Sequence, residues 1–296
     1  MTFGVFLGHQ DPAGGHVLDH HVRILEAVSH SEHVTTVWAS DHLQERDQPM
    51  LESWTRLSFL AGMFPQFTYG HFVMGQNYRN PALAAKMAAT LHHLSRGRYT
   101  MGIGAGWLEE EYNAYGYEFH RPRVRLEQLE EAVLLMRALW GGGPATFEGK
   151  HYRIDKAHCE PRPSERIPIM IGTNGERALR IVAKHADAWN WDAPLDAFEK
   201  PYKTLLRHCE EVGRDVSEIL LTAGTEIHMP RRAEDFNPGE MRYGDPKILG
   251  PSPSAVIEEL RPLVELGVRH FQVYIDDVES AEQFCEHVAP VLAAHV

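Results

Sequence analysis

The chain has 296 residues, 43% of them apolar and 24% charged, the ordinary mix of a soluble globular protein, which excludes a disordered or collagen-like chain. Its 41 acidic residues against 29 basic ones give a formal charge of −12, which argues against nucleic acid or an anionic membrane as partner. The 3 cysteines have no C-x-x-C spacing, so neither a disulfide framework nor a cysteine zinc site is expected, and a reducing cytoplasm fits best.

Short apolar runs alternate with helical patterns along the chain. Phe3–Leu7 reads as a buried strand and 16–31 as a helix. Thr35–Ala39 is a β-branched strand stopping at Ser40-Asp41-His42, followed by a helix near 51–63 and a strand over 68–74. Asn80-Pro81 starts a helix well, since Asn caps and Pro at the first helical position loses no needed N–H. Leu83, Met87, Leu91 and Leu94 are its expected buried face. A strand over 98–103, a helix over 122–140, a strand over 167–172 and a helix over 175–186 continue the cadence. A strand at 186–190, a helix across 195–212 and a strand at 219–223 follow. Ser252-Pro253 opens the next helix, and a strand at 270–275 and a helix at 280–293 close the series.

Eight strand–helix units predict an α/β fold, a (β/α)8 TIM barrel, with an open doubly wound sheet as the competing architecture. The whole of 1–296 is expected to be one domain, with insertions or lids near 143–166, including a hairpin at Thr146–Arg153, and near 229–252. No export signal or membrane span is visible.

In a barrel the chemistry sits at the C-terminal strand ends, which selects Gly8-His9, Asp41-His42, Gly75-Gln76-Asn77, Gly104 to Trp107, Gly172-Thr173-Asn174, Asn190 and Asp276-Asp277. Gly102-Ile103-Gly104-Ala105-Gly106-Trp107 fails the G-x-G-x-x-G pattern at Trp107, so a flat ligand against the strand end fits better than a Rossmann site. Gly172-Thr173-Asn174-Gly175 precedes a helix whose free N–H groups suit a phosphate; an ordinary turn capped by Asn174 is the alternative. At Asp41-His42 the Asp can orient the imidazole or bind a ring N–H, and the His can move protons. The pairs His20-His21 and His92-His93 lie in predicted helices, where adjacent side chains diverge by about 100°, so no metal site is expected, and His9 and His71 are weaker pocket candidates beside His42. Glu109-Glu110-Glu111 could supply a general acid or base near a pocket, but reads rather as the acidic first turn of a helix, and Trp107 as a pocket wall.

Together, Ser40-Asp41-His42-Leu43, Tyr78-Arg79-Asn80-Pro81, Gly106-Trp107-Leu108-Glu109-Glu110-Glu111-Tyr112, Phe147-Glu148-Gly149-Lys150-His151-Tyr152 and the stretch from Ile169 to Asn190 resemble the luciferase-like flavin and deazaflavin oxidoreductases. The resemblance covers most of 1–190 strongly and the remainder weakly. It implies a barrel that binds coenzyme F420, a deazaflavin, or alternatively FMN. It places Asp41 and His42 beside the ring and a bulge with a non-proline cis peptide near Phe72-Val73-Met74. Ala105, Gly106 and Trp107 flank ring and tail, and Gly172, Thr173, Asn174 and Gly175 hold the phosphate. Some deazaflavin dehydrogenases carry a proton-donating Glu where this chain has Trp107. Arg79, Arg98, Lys150 and Arg177 are candidate tail partners, and segment 229–252 a candidate lid. The expected activity is hydride transfer between deazaflavin and a small organic substrate, with His42 oriented by Asp41. An FMN-dependent monooxygenase and a non-catalytic flavin-binding relative are the alternatives, and a homodimer is compatible with the sequence.

Overall fold

The computed structural model describes residues 1–9, 14–44, 50–236 and 248–295. β1 (Thr2–Phe6), α1 (Val17–Val28), β2 (Val34–Ala39), α2 (Ser53–Met63) and β3 (Thr68–His71) lead into β4 (Met74–Gly75), α3 (Pro81–Leu94) and β5 (Tyr99–Gly104). Then come α4 (Glu109–Ala114), α5 (Pro122–Trp140), the hairpin β6 (Ala145–Glu148) and β7 (Arg153–Ala157), β8 (Ile169–Gly172) and α6 (Glu176–His185). β9 (Ala188–Asn190), α7 (Leu195–Val212), β10 (Leu220–Glu226), α8 (Pro253–Leu266) and β11 (His270–Tyr274) complete the wall. The chain finishes on α9 (Val278–Gln283), a π-turn over Phe284–Val288 and α10 (Ala289–Ala293).

The strands pair in parallel in the order β3-β2-β1-β11-β10-β9-β8-β5, and β3 also pairs with β5. The sheet therefore closes into an eight-stranded barrel, as the strand–helix cadence predicts. The third stave is broken: β3 stops at His71, the peptide Phe72–Val73 is cis, and β4 resumes against Ile103 and Gly104 of β5. That is the position the resemblance implied for the bulge.

Most buried apolar side chains form the sheath between strands and helices. A smaller cluster of Phe6, Trp38, Met170, Ala188 and Tyr274 fills the barrel itself, with Phe72 and Val73 packed on it. Trp38 fits there because its neighbours lack side chains; a Cβ on Gly4 or Gly70 would collide with its indole. Its Nε1–H donates to His270 Nε2 at 3.0 Å, while His270 Nδ1 meets Thr2 Oγ1 at 2.8 Å. The lower barrel is thus plugged by a polar pair with both ring nitrogens satisfied.

Asn80 and Ser252 cap α3 and α8 with Pro81 and Pro253 beside them, as expected. The buried face of α3 differs from the expectation: Leu83 and Leu94 are exposed, and Ala84, Ala85, Ala88, Ala89 and Leu91 face the core. The neighbouring α5 packs closely on α3, and small side chains allow that approach where leucine spacing misled. The 143–166 insertion holds the expected hairpin, pinned to α5 by Glu131, which accepts from the N–H groups of Lys150, His151 and Tyr152. Of 229–252, Met229 N donates to Ser280 Oγ and Leu249 pairs with Ile227, while the centre of that expected lid, 237–247, lies outside the described residues.

Candidate active site

The C-terminal strand ends surround a cavity of about 470 Å³. Its lining includes Asp41, His42, Phe72, Val73, Met74, Ala105, Gly106, Trp107, Gly172, Thr173 and Asn174, so the expected site residues converge. Gly175 is not part of the lining; it is the N-cap of α6.

The floor is built by subtraction. Val73 reaches over the barrel mouth between two glycines. A Cβ on Gly104 would stand 2.9 Å from Val73 Cγ2, and one on Gly172 would stand 3.2 Å from both Val73 methyls. Gly106 has φ +75, and a Cβ there would run into the Tyr112 hydroxyl. Val73 and the Tyr112 hydroxyl occupy the space that side chains at 104 and 106 would need and crowd position 172, and at Gly106 the positive φ favours glycine as well.

His42 is held by Glu111, not by Asp41. Its Nδ1 lies 3.0 Å from Glu111 Oε2, and Tyr78 donates to the same oxygen at 2.5 Å. Glu111 Oε1 accepts from the N–H groups of Leu43 and Gln44. Glu111 is 0% exposed. Burial alone would raise its carboxyl, but the bonds from His42 and Tyr78 outweigh it and hold the group below the usual Glu range. The carboxylate requires Nδ1 to carry the proton, so Nε2 is the free acceptor. The Trp107 ring meets the imidazole edge-on, centroids 5.6 Å apart, and is itself 69% exposed.

Asp41 is occupied elsewhere. Arg79 donates to its Oδ2 at 2.7 Å and Ser53 to its Oδ1. Burial pushes its carboxyl above the usual Asp range, with Arg79 and Ser53 pulling it back. The orienting role expected of Asp41 thus belongs to Glu111, whose place in an acidic run concealed it: a helix-terminal carboxylate and a buried one look alike in sequence. Tyr78 also had no sequence signal of its own.

At the end of β8, the fifth stave, Gly175 N donates to Thr173 Oγ1 at 3.3 Å, and no side chain caps α6. Asn174 is therefore not the cap, and the first N–H groups of this ten-residue helix are left for a ligand or water. The lining also takes in Asn190, Trp191 and Asp192, of which only Asn190 was expected.

Other candidates lie apart from the cavity. His9 pairs with Ser40 at 2.8 Å, and His71 with Tyr99 at 2.8 Å. Asp276 meets His20, and Asp277 caps α9. Arg79 serves Asp41 and Glu52, Lys150 serves Glu127, and Arg98, before β5, bonds Phe67 O at the opposite end of the barrel. Arg177 sits in a separate groove between α5 and α6.

The family profile described as luciferase-like monooxygenase matches residues 1–237. An F420-dependent glucose-6-phosphate dehydrogenase of Intrasporangium calvum is 29% identical over 87% of this chain and 90% of its own. An F420-dependent hydroxymycolic acid dehydrogenase of Mycobacterium tuberculosis is 31% identical over 52% of this chain and 43% of its own. Among solved structures, an F420-dependent secondary alcohol dehydrogenase in complex with an F420-acetone adduct superposes with TM-score 0.80 at 20% identity, covering 98% of each chain. The long-chain alkane monooxygenase superposes with TM-score 0.80 at 14% identity, over 100% of this chain and 91% of its own. At such identities the superpositions establish the fold.

Proposed function

The chain belongs to the luciferase-like monooxygenase family, and from that premise we propose that it transfers hydride between coenzyme F420 and a small organic substrate bearing a carbon–oxygen bond. The observation that carries the reading is the Glu111–His42 pair at the cavity, with Nδ1 held and Nε2 free. A hydride transfer to or from an alcohol carbon needs one group that accepts and returns a proton at the oxygen. The relative that aligns over most of both chains bears an F420-dependent dehydrogenase name, which supports the deazaflavin over FMN.

The residues present suit the group. Gly104 and Gly172 let Val73 pack down between them, and Gly106 admits the Tyr112 hydroxyl, which together with Ala105 gives the cavity an apolar floor that would suit a flat ring. Thr173, Asn174 and Gly175, with the uncapped start of α6, suit its phosphate. When bound, the deazaflavin would supply a ring carbon that carries hydride. His42 Nε2 takes the proton from the substrate hydroxyl and returns it in the reverse direction. Glu111 keeps the imidazole in the required tautomer and steadies it once protonated, while Tyr78 and two backbone N–H groups keep Glu111 ionised. Asp41, fixed by Arg79 and Ser53, lines the ring side of the cavity, and Trp107 walls the substrate side from water. The whole chain works as one catalytic domain in a reducing cytoplasm, its 3 cysteines unpaired.

Anaerobic turnover tests the reading. With reduced coenzyme F420 and a panel of small ketones, the deazaflavin absorbance should return without oxygen. Consumption of oxygen with reduced FMN, and none of that return, would assign the chain to FMN-dependent oxygenation instead.

A further inference from the structure

Across the barrel mouth from His42 stands a carboxyl that the preceding mechanism does not use. Asp192 follows β9, the sixth stave, whereas His42 follows the second, and both line the cavity. Asp192 is a built feature. Its Oδ1 accepts from Gly224 N at 2.6 Å and from Asn190 Nδ2 at 3.0 Å. Gly224 is required, because a Cβ there would occupy the place of the Asp192 carboxyl. Asn190 is itself fixed from inside the barrel by Gln272 Oε1 at 3.3 Å, and Gln272 in turn donates to Thr222 Oγ1 at 3.2 Å. A connected polar chain thus runs up the barrel axis to hold one carboxyl oxygen. Both hydrogen bonds to Asp192 fall on Oδ1, which leaves Oδ2 for whatever fills the cavity.

Its environment differs from that of the other two acids. Asp41 faces Arg79, and Glu111 faces His42. The groups that face Asp192 are an amide and a backbone N–H, both neutral. The other titratable groups lining the cavity are Asp41, His42 and Tyr78. Burial raises the Asp192 carboxyl above the usual Asp range, only partly offset by Asn190 and Gly224.

We propose that Asp192 is the second proton-exchanging group of this site, working through Oδ2 across the bound ligands from His42. The inference rests on the hydride-transfer reading and completes its proton balance. In the oxidative direction the substrate C–H bond breaks and its hydride joins the deazaflavin ring carbon. The O–H bond breaks, its proton goes to His42 Nε2, and its electron pair closes the C=O bond. The ring is left with one added electron pair, and Asp192 Oδ2–H gives a proton to the ring nitrogen conjugated with that carbon. Asp192 is then a carboxylate and His42 an imidazolium, and a proton returned to one and lost from the other through solvent restores the start.

Calorimetric titration of coenzyme F420 in two buffers of different ionisation enthalpy counts the protons taken up on binding. An anionic ligand beside Asp192 raises its pKa further, so the wild type should take up protons just above the ionisation of Asp192. Asp192→Asn should bind without that uptake, and His42→Gln should retain it. Equal uptake in wild type and Asp192→Asn overturns the proposal. If the wild type does not bind coenzyme F420, the cofactor reading fails instead, and infrared titration of the ligand-free protein decides on Asp192. A protonated-carboxyl band that persists above about pH 4, the ordinary Asp range, and vanishes in Asp192→Asn supports the proposal. No such band contradicts it.

Discussion

His270 and His42 lie at opposite ends of one barrel and teach opposite lessons. At the closed end, His270 accepts from Trp38 and pairs with Thr2, so both nitrogens are used inside the core. At the open end, His42 spends Nδ1 on Glu111 and leaves Nε2 to the cavity. A histidine satisfied on both sides is a packing element, and one satisfied on a single side at a strand end is a reagent. The same contrast separates Asp41, neutralised by Arg79, from Asp192, held by neutral partners on one oxygen.

Substitutions can break that contrast. The largest effect is expected for His42→Gln: turnover falls by roughly 100- to 10,000-fold, the usual weight of a positioned base, while spectroscopic titration finds coenzyme F420 binding unchanged. Retained turnover would return His42 to the class of His270.

Glu111→Gln comes next. The amide NH2 would face His42 Nδ1 and favour the tautomer with the proton on Nε2. Losing a charge-assisted bond of about 1.5–3 kcal/mol corresponds to roughly a 10- to 100-fold drop in kcat/KM. The pH profile should move with it, which a merely structural loss would not cause.

The buried histidines, His270 at the closed end among them, should respond in stability. Burial holds His270 down at about 4, and His71 and His21 at about 3, the last helped by Arg56. The unfolded chain binds protons on these rings near pH 6.5 while the folded one does not. Stability is therefore full above pH 6.5 and falls as pH drops from there, towards about 4 for His270 and about 3 for His71 and His21, by up to about 1.4 kcal/mol per pH unit for each ring. Thermal melts should show a declining Tm over that window, and His270→Gln should start lower but decline less steeply.

The smallest effect is expected for Trp107→Phe. The ring is largely exposed and meets His42 only by its edge, an interaction worth about 0.5–1.5 kcal/mol. A change of several-fold in KM, with kcat held, is the expected steady-state result.

The barrel was legible because its staves are short apolar runs separated by helical patterns, and Asn80-Pro81 and Ser252-Pro253 behave as their chemistry dictates. The break at Phe72–Val73 came from resemblance; no periodicity marks it, since strand 68–74 reads as continuous. Glu111 escaped because three adjacent glutamates satisfy the helix-dipole rule, and only the tertiary fold turns the third one inward beneath His42. Asp192 escaped because it lies beyond a three-residue strand, and its holder, Gly224, is 32 positions away. Pairings such as Asp41 with Arg79, 38 positions apart, leave no local trace either.

Competitive binding tests the central claim most directly. Coenzyme F420 titrated into the wild-type protein, followed by absorbance and repeated in the presence of FMN, should give a saturable spectral shift that FMN does not displace. Displacement by FMN, or saturation with FMN and none with coenzyme F420, would contradict a deazaflavin site at this barrel mouth.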